Sequence, residues 1–248
     1  SSVGAEVNWL VPERWAVHEG EKTAELLARH STPGLLPELA LAIGMPRGDE
    51  LSKNKDIVDQ FISAAAAYVL QKNKPNLLLV HLIQVDEAQH SHGRDAEEVR
   101  KAVKRTDQNI ARIRKAAERA GIAGRTTFVI VGDHGFEDVT ESVAPNVLLA
   151  EAGLVERDGS KVAGWKALGH SSSGSMAVYA KDAESAKKAR EVLERGAGKY
   201  YTILDRARLD DLGYNPLAAF ALEAAEGISF SGSVAGTFAG KMQTEVFV

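Results

Sequence analysis

Two short stretches hold the residues best suited to chemistry. Residues 80–94 read VHLIQVDEAQHSHGR, and residues 129–136 read VIVGDHGF. In the first, an apolar run stops at Asp86, and His90 follows four positions later. In the second, an apolar run stops at the pair Asp133 and His134, flanked by Gly132 and Gly135. Carboxylate oxygen and neutral imidazole nitrogen are good ligands for divalent zinc, and a mixed oxygen and nitrogen set also admits manganese or iron. The chain has no cysteine, so any metal must be held by His, Asp or Glu. Glycines beside the second pair would let the backbone bend and a ligand approach closely.

A single Asp after a strand is ordinarily a cap or a turn residue. A single His is ordinarily a hydrogen-bonded residue, and His18, His30 and His81 are read that way, with His92 a solvated neighbour of His90. The patterns D-x-x-x-H and D-H-G gain weight because each follows an apolar run, and the two runs belong to one local unit.

That unit comes from the hydrophobic patterning. Residues 76–85, NLLLVHLIQV, form a continuous apolar run, as a strand covered on both faces of a parallel sheet requires. Asp95–Ala120 has helical periodicity, with Val103, Ile110 and Ile113 on its apolar face and Asp95 as its expected N-cap. Residues 126–131, TTFVIV, are the next expected strand. Strand, helix and strand with short links predict a βαβ unit and hence parallel pairing. Ligands of such sheets bind beyond the carboxyl ends of the strands. Asp86, His90, Asp133 and His134 are therefore expected at one rim.

Elsewhere the patterning predicts helices near Glu21–Arg29, over Asp56–Lys72, over Asp182–Arg195 and over Pro216–Ala225. It predicts strands over Ser173–Ala180 and Tyr201–Leu204, and a β-prone tail after Gly227. The first fifty residues, broken by Pro12, Pro33, Pro37 and Pro46, otherwise read as loops. The 248 residues are 44% hydrophobic and 26% charged, an ordinary globular balance, with a net charge of -4 that offers no basic field to gather nucleic acid. No apolar run is long enough to span a membrane, and the first residues, SSVGAEVNWLVPERW, lack the pattern of a signal peptide. Nothing in the sequence assigns a compartment.

VDEAQHSHG followed by VIVGDHGF resembles the alkaline phosphatase superfamily, and within it the type I phosphodiesterase and nucleotide pyrophosphatase branch, which includes phosphonoacetate hydrolase-like enzymes. The Trp9–Trp15 segment, HSTPGLL, SSSGSMAVYAKD and LGYNPLAAFALEAAEGISFSG extend the resemblance along most of the chain. It implies an α/β three-layer sandwich with a mostly parallel central sheet, here a single catalytic domain over residues 1–248. It also implies two divalent metal ions, usually zinc, one held by Asp86 and His90 and the other by Asp133 and His134. The activity implied is metal-dependent hydrolysis of a small-molecule phosphoester, a phosphodiester or a nucleotide pyrophosphate. It would run by in-line displacement through a covalent phospho-enzyme. The alternatives are a carbon–phosphorus hydrolase of the phosphonoacetate hydrolase kind, or a non-catalytic α/β domain.

Two departures accompany the resemblance. Members carry an Asp and a Thr or Ser nucleophile before the segment equivalent to Trp9–Trp15, and a late Gly-x-His-Gly histidine, whereas this chain has no His after His170. Two tetrahedral ions also need about eight ligand positions, more than four residues supply. The expectation is an internal piece, incomplete at both ends and with little activity by itself. His170, in WKALGHSSSG, is the candidate third ligand or pocket residue, read more simply as a loop residue before a strand. Thr32 is expected to be a structural turn residue rather than a nucleophile. Ser171, Ser172 and Ser173 are read as polar loop residues, with no Gly-x-Ser-x-Gly elbow around them.

Overall fold

A computed structural model describes residues 7–12, 23–47, 50–51 and 54–247. His18 and residues 13–15 of the Trp9–Trp15 segment lie outside the described residues. The chain divides into two compact units, residues 1–133 and 134–248.

Among its described residues the first unit is helical where it is regular, with α1 (Thr23–His30), α2 (Leu35–Ile43), α3 (Lys55–Asn73), α4 (Gln84–His92) and α5 (Glu97–Arg119). Asn54 starts α3 by accepting from the amides of Asp56 and Ile57, at 3.0 and 3.4 Å. Lys74, at φ 49°, ends it in the left-handed region, and Pro75 prevents continuation. One face of α3 buries Val58, Phe61, Ala65 and Val69 against Leu27, Leu35 and Leu39. A second face places Ala66, Ala67 and Leu70 against Ile113, Ala116 and Ala117 of α5. Small side chains on both helices allow the close approach.

The second unit carries the sheets. Strands β4 (Ala167–Ser172), β5 (Ser175–Ala180), β6 (Tyr201–Leu204) and β7 (Phe220–Ala224) form an antiparallel sheet in the order β4-β5-β7-β6. Strand β1 (Asp138–Val143) pairs in parallel with β8 (Ile228–Phe230) and antiparallel with β9 (Ala239–Phe247). Strands β2 (Val155–Asp158) and β3 (Lys161–Trp165) make a hairpin. Helices α6 (Pro145–Glu151), α7 (Ala183–Leu193) and α8 (Arg206–Asp211) complete the unit. Its core gathers Leu149, Met176, Val178, Leu193, Tyr201 and Leu222. Asn146 of α6 is tied to β4 by a closed pair of bonds: its Nδ2 donates to the Gly169 carbonyl and its Oδ1 accepts from the Gly169 amide, both at 2.8 Å.

The chain is α/β, as its patterning predicts, and the helices near Glu21, Asp56, Asp95 and Asp182 and the strand at Tyr201–Leu204 are present. Five details differ. Residues 76–83 and 126–131 carry no assigned strand, and Leu79 and Val129 are 75% and 77% exposed. A ladder needs a neighbouring strand, and among the described pairings neither run has one. Asp95 does not cap α5, because Ala96 holds the N-cap position without a side-chain bond. Val103 faces outward, and Ala102 and Asn109 fill the buried stripe instead. Residues 220–224 form a strand rather than part of a helix, since the position between β5 and β6 decides over local propensity. Finally, α2 lies in the stretch expected to be loop. Pro37 falls in its first turn, where a missing N–H loses no intrahelical bond.

Candidate functional site

Asp86 and His90 lie on α4, not on a strand end and the loop after it. A spacing of four places both side chains on one helical face. His90 Nε2 stands 3.5 Å from Asp86 Oδ1, and both side chains are about half exposed. Two ligand atoms bound to one tetrahedral ion at about 2.0–2.1 Å sit about 3.3–3.4 Å apart. The pair as folded is thus within a small adjustment of the edge of such a coordination shell, and open enough for an ion to enter. The helix ends at once: Gly93 adopts φ 83° and ψ 153°, and its amide donates to the Gln89 carbonyl at 2.9 Å. A left-handed φ favours glycine there, which explains Gly93 in the motif.

The start of α4 is fixed by a residue that the motif does not contain. Asp59, on α3, is fully buried. Its Oδ1 accepts from the amide of Ile83 at 2.9 Å, and its Oδ2 from the amide of Gln84 at 3.0 Å. These are two of the amides that the first turn of a helix leaves without intrahelical partners. Burial pushes the Asp59 carboxyl above the ordinary carboxylate value, and the two backbone amides oppose that shift. Gln84 is itself buried. With its amide nitrogen turned toward Asp56, it donates to Oδ1 at 3.2 Å, and its oxygen accepts from Arg105 at 2.9 Å. The signal for Asp59 was present in the sequence as a carboxylate on the apolar stripe of Asp56–Lys72, but helical periodicity alone does not say what such a residue bonds.

Asp133 is the last residue of the first unit and His134 the first of the second. His134 Nδ1 lies 3.0 Å from the Gly135 carbonyl. A carbonyl only accepts, so this contact is a hydrogen bond in the tautomer that carries its proton on Nδ1. The ring also stacks at a tilt on Phe136, with centroids 5.5 Å apart. Gly132 and Gly135 do not take positive φ, and a Cβ on Gly135 would meet nothing within 4 Å. Neither glycine is required by its backbone conformation.

His170 lies within β4, opposite Ala177 of β5, and is exposed. It is a strand residue, not the loop residue that its serine-rich surroundings suggested. Ser171 Oγ donates to the Phe230 carbonyl at 2.8 Å. Thr32 is structural: its Oγ1 accepts from the Leu10 amide at 2.8 Å. Among the described residues, no three or more His, Asp or Glu side chains converge as a metal-holding group. The structure therefore brings Asp86 and His90 together, sets His134 Nδ1 against the Gly135 carbonyl, and leaves His170 on its strand.

A family model described as type I phosphodiesterase / nucleotide pyrophosphatase matches residues 7–237. No curated protein matches the chain. Among solved structures, human ectonucleotide pyrophosphatase / phosphodiesterase 5 matches at 13% identity with a TM-score of 0.49. That match covers 91% of this chain and 64% of the other, so the chain spans less than two thirds of that protein.

Proposed function

The chain belongs to the type I phosphodiesterase / nucleotide pyrophosphatase family, and from that premise we propose that it forms the metal-holding part of a phosphoester hydrolase acting on phosphodiesters or nucleotide pyrophosphates. Asp86 and His90 hold one divalent ion, and Asp133 and His134 a second. Zinc suits this donor set best, with manganese or iron as substitutes. When bound, such ions polarise a phosphoryl oxygen and lower the pKa of a hydroxyl or water nucleophile.

The residues of this chain bind and orient; none of the four is assigned to proton transfer. α4 presents Asp86 and His90 from consecutive turns, so their spacing is fixed by helix geometry rather than by a loop. The Gly135 carbonyl fixes the tautomer and the ring plane of His134, the usual task of a ligand's outer hydrogen bond. The attacking group is an enzyme hydroxyl, whose oxygen would bond to phosphorus as the alcohol or phosphate leaving group departs, and water would then cleave the resulting phospho-enzyme; His170, Thr32 and the serines after His170 are not assigned to the attacking role.

The observation that carries this proposal is the 3.5 Å approach of His90 Nε2 to Asp86 Oδ1 on one exposed helical face, inside the matched family segment. The test is hydrolysis of a chromogenic phosphodiester and of a dinucleotide pyrophosphate by the full-length protein with added zinc. H90A and H134A variants should each lose at least about 100-fold in kcat/KM. Unchanged hydrolysis in both variants would refute the assignment.

A further inference from the structure

We propose that Asp59 is the positioning residue of the ligand helix: its buried carboxylate fixes the start and rotation of α4, and with them the direction in which Asp86 and His90 point. The proposal rests on the assignment of Asp86 and His90 as metal ligands.

Three observations converge on it. First, the bond pair is specific. Both carboxylate oxygens are used, one on each of two successive amides at the first turn of α4. One such bond would fix a point on the helix, whereas two at successive residues also fix its rotation about the axis. Asp86 lies only two residues beyond the second pinned amide.

Second, α4 needs the support. It has nine residues. Isolated helices shorter than about 12–15 residues are marginal in water, so a helix of this length persists through its tertiary contacts. Its N-cap residue, Ile83, offers no side-chain acceptor. Asp59 supplies from another helix the acceptors that a Ser, Thr, Asp or Asn cap supplies locally. Its negative charge also meets the positive end of the helix dipole.

Third, the arrangement is costly in any merely structural role. Burying a carboxylate is unfavourable unless its oxygens are satisfied. Asp59 lies at helical spacing with Ala66 and Leu70, on the face of α3 that packs toward α5, where an apolar residue would be buried without that penalty. The gain lies in the orientation of α4. Gln84, tied to Asp56 and Arg105, adds a second restraint at the same end.

The test is calorimetric zinc titration of the chain and of D59N, V58A and H90A variants. The D59N change replaces one acceptor oxygen with an NH2 group that faces an amide, so the pin is broken at nearly constant volume. Val58 is equally buried on the same helix, and neither of the two pinning bonds involves it. H90A should weaken zinc binding by about 10–100-fold or more, and D59N by about 10–100-fold, the range seen when a ligand's supporting partner is removed. V58A should change it by less than about threefold even where its melting temperature falls as far as that of D59N. If H90A leaves affinity unchanged, the ligand assignment fails. If H90A weakens binding but D59N does not, or V58A weakens it equally, the positioning role fails. Amide hydrogen exchange of the unmutated chain gives a readout that needs no folded variant. The Ile83 and Gln84 amides should exchange more slowly than those of Leu77 and Leu79, and zinc should slow them further. Fast exchange at Ile83 and Gln84, or no response to zinc, would overturn the proposal.

Discussion

His90 Nε2 lies 3.5 Å from Asp86 Oδ1, one helical turn away on α4. The two atoms converge because residues four apart on a helix share a face. Asp59 holds the first turn of that helix from beneath through the amides of Ile83 and Gln84.

Helix geometry separates His90 from His92. Two residues further along an α-helix is about 200° around its axis, so His92 points away from Asp86. H92A should leave zinc affinity within about twofold of the unmutated chain, whereas D86A and H90A should each lower it by about 10–100-fold or more. Isothermal titration at one pH measures all three. Equal losses in H92A and H90A would mean that the ion does not sit on the Asp86 face.

The His134 tautomer is directly observable. With Nδ1 donating to the Gly135 carbonyl, nitrogen-15 NMR should report protonated Nδ1 and unprotonated Nε2 at pH 8. Zinc should then shift the Nε2 resonance and leave Nδ1 protonated. A protonated Nε2, or a zinc-induced shift at Nδ1, would be inconsistent with His134 as an Nε2 ligand.

The burial of Asp59 predicts a pH dependence of stability. Burial is the largest influence on its carboxyl and raises it above the ordinary 3.8; the Ile83 and Gln84 amides lower it, Asp56 raises it and His81 lowers it. With the net shift upward, the folded chain takes up this proton before the unfolded chain as pH falls. The resulting stabilisation is complete below the unfolded-state value and is lost as pH rises through the folded one. Urea denaturation from pH 7 to pH 4 should show the stability of the unmutated chain rising relative to D59N as the medium is acidified. A difference that shrinks on acidification would show that Asp59 is held below its ordinary value.

Asn146 is the sharpest stability prediction. Its side chain satisfies both the amide and the carbonyl of Gly169 inside the second unit. N146A leaves those two groups without their partner, at a cost of roughly 2–4 kcal/mol. Chemical denaturation should report that loss. A change below about 0.5 kcal/mol would mean that the Gly169 groups find other partners.

Much of the element order was legible because periodicity reports directly on burial. Asp56–Lys72 and Asp182–Arg195 bury one stripe each, and each is a helix. Legibility failed where a tertiary neighbour decides. FALEA is alanine-rich and helix-prone, yet it lies between two strands of a sheet and becomes one. NLLLVHLIQV carries the composition of a buried strand, but its final residues turn into α4 where Asp59 accepts the amides of Ile83 and Gln84. The candidate motif itself was readable as residue types. Its helical geometry was also implicit in the four-residue spacing, although the apolar run before it argued for a strand end. Asp59 was not readable as a site residue, because a carboxylate on a helix shows its role only when the amides it accepts from are known.

The most direct test of the metal assignment is anomalous diffraction at the zinc edge from crystals grown with zinc. Peaks should lie within about 2.0–2.2 Å of both Asp86 Oδ1 and His90 Nε2, and at the same distance from the Asp133 carboxylate and His134 Nε2. Zinc bound at other residues, with Asp86 and His90 left uncoordinated, would contradict the assignment.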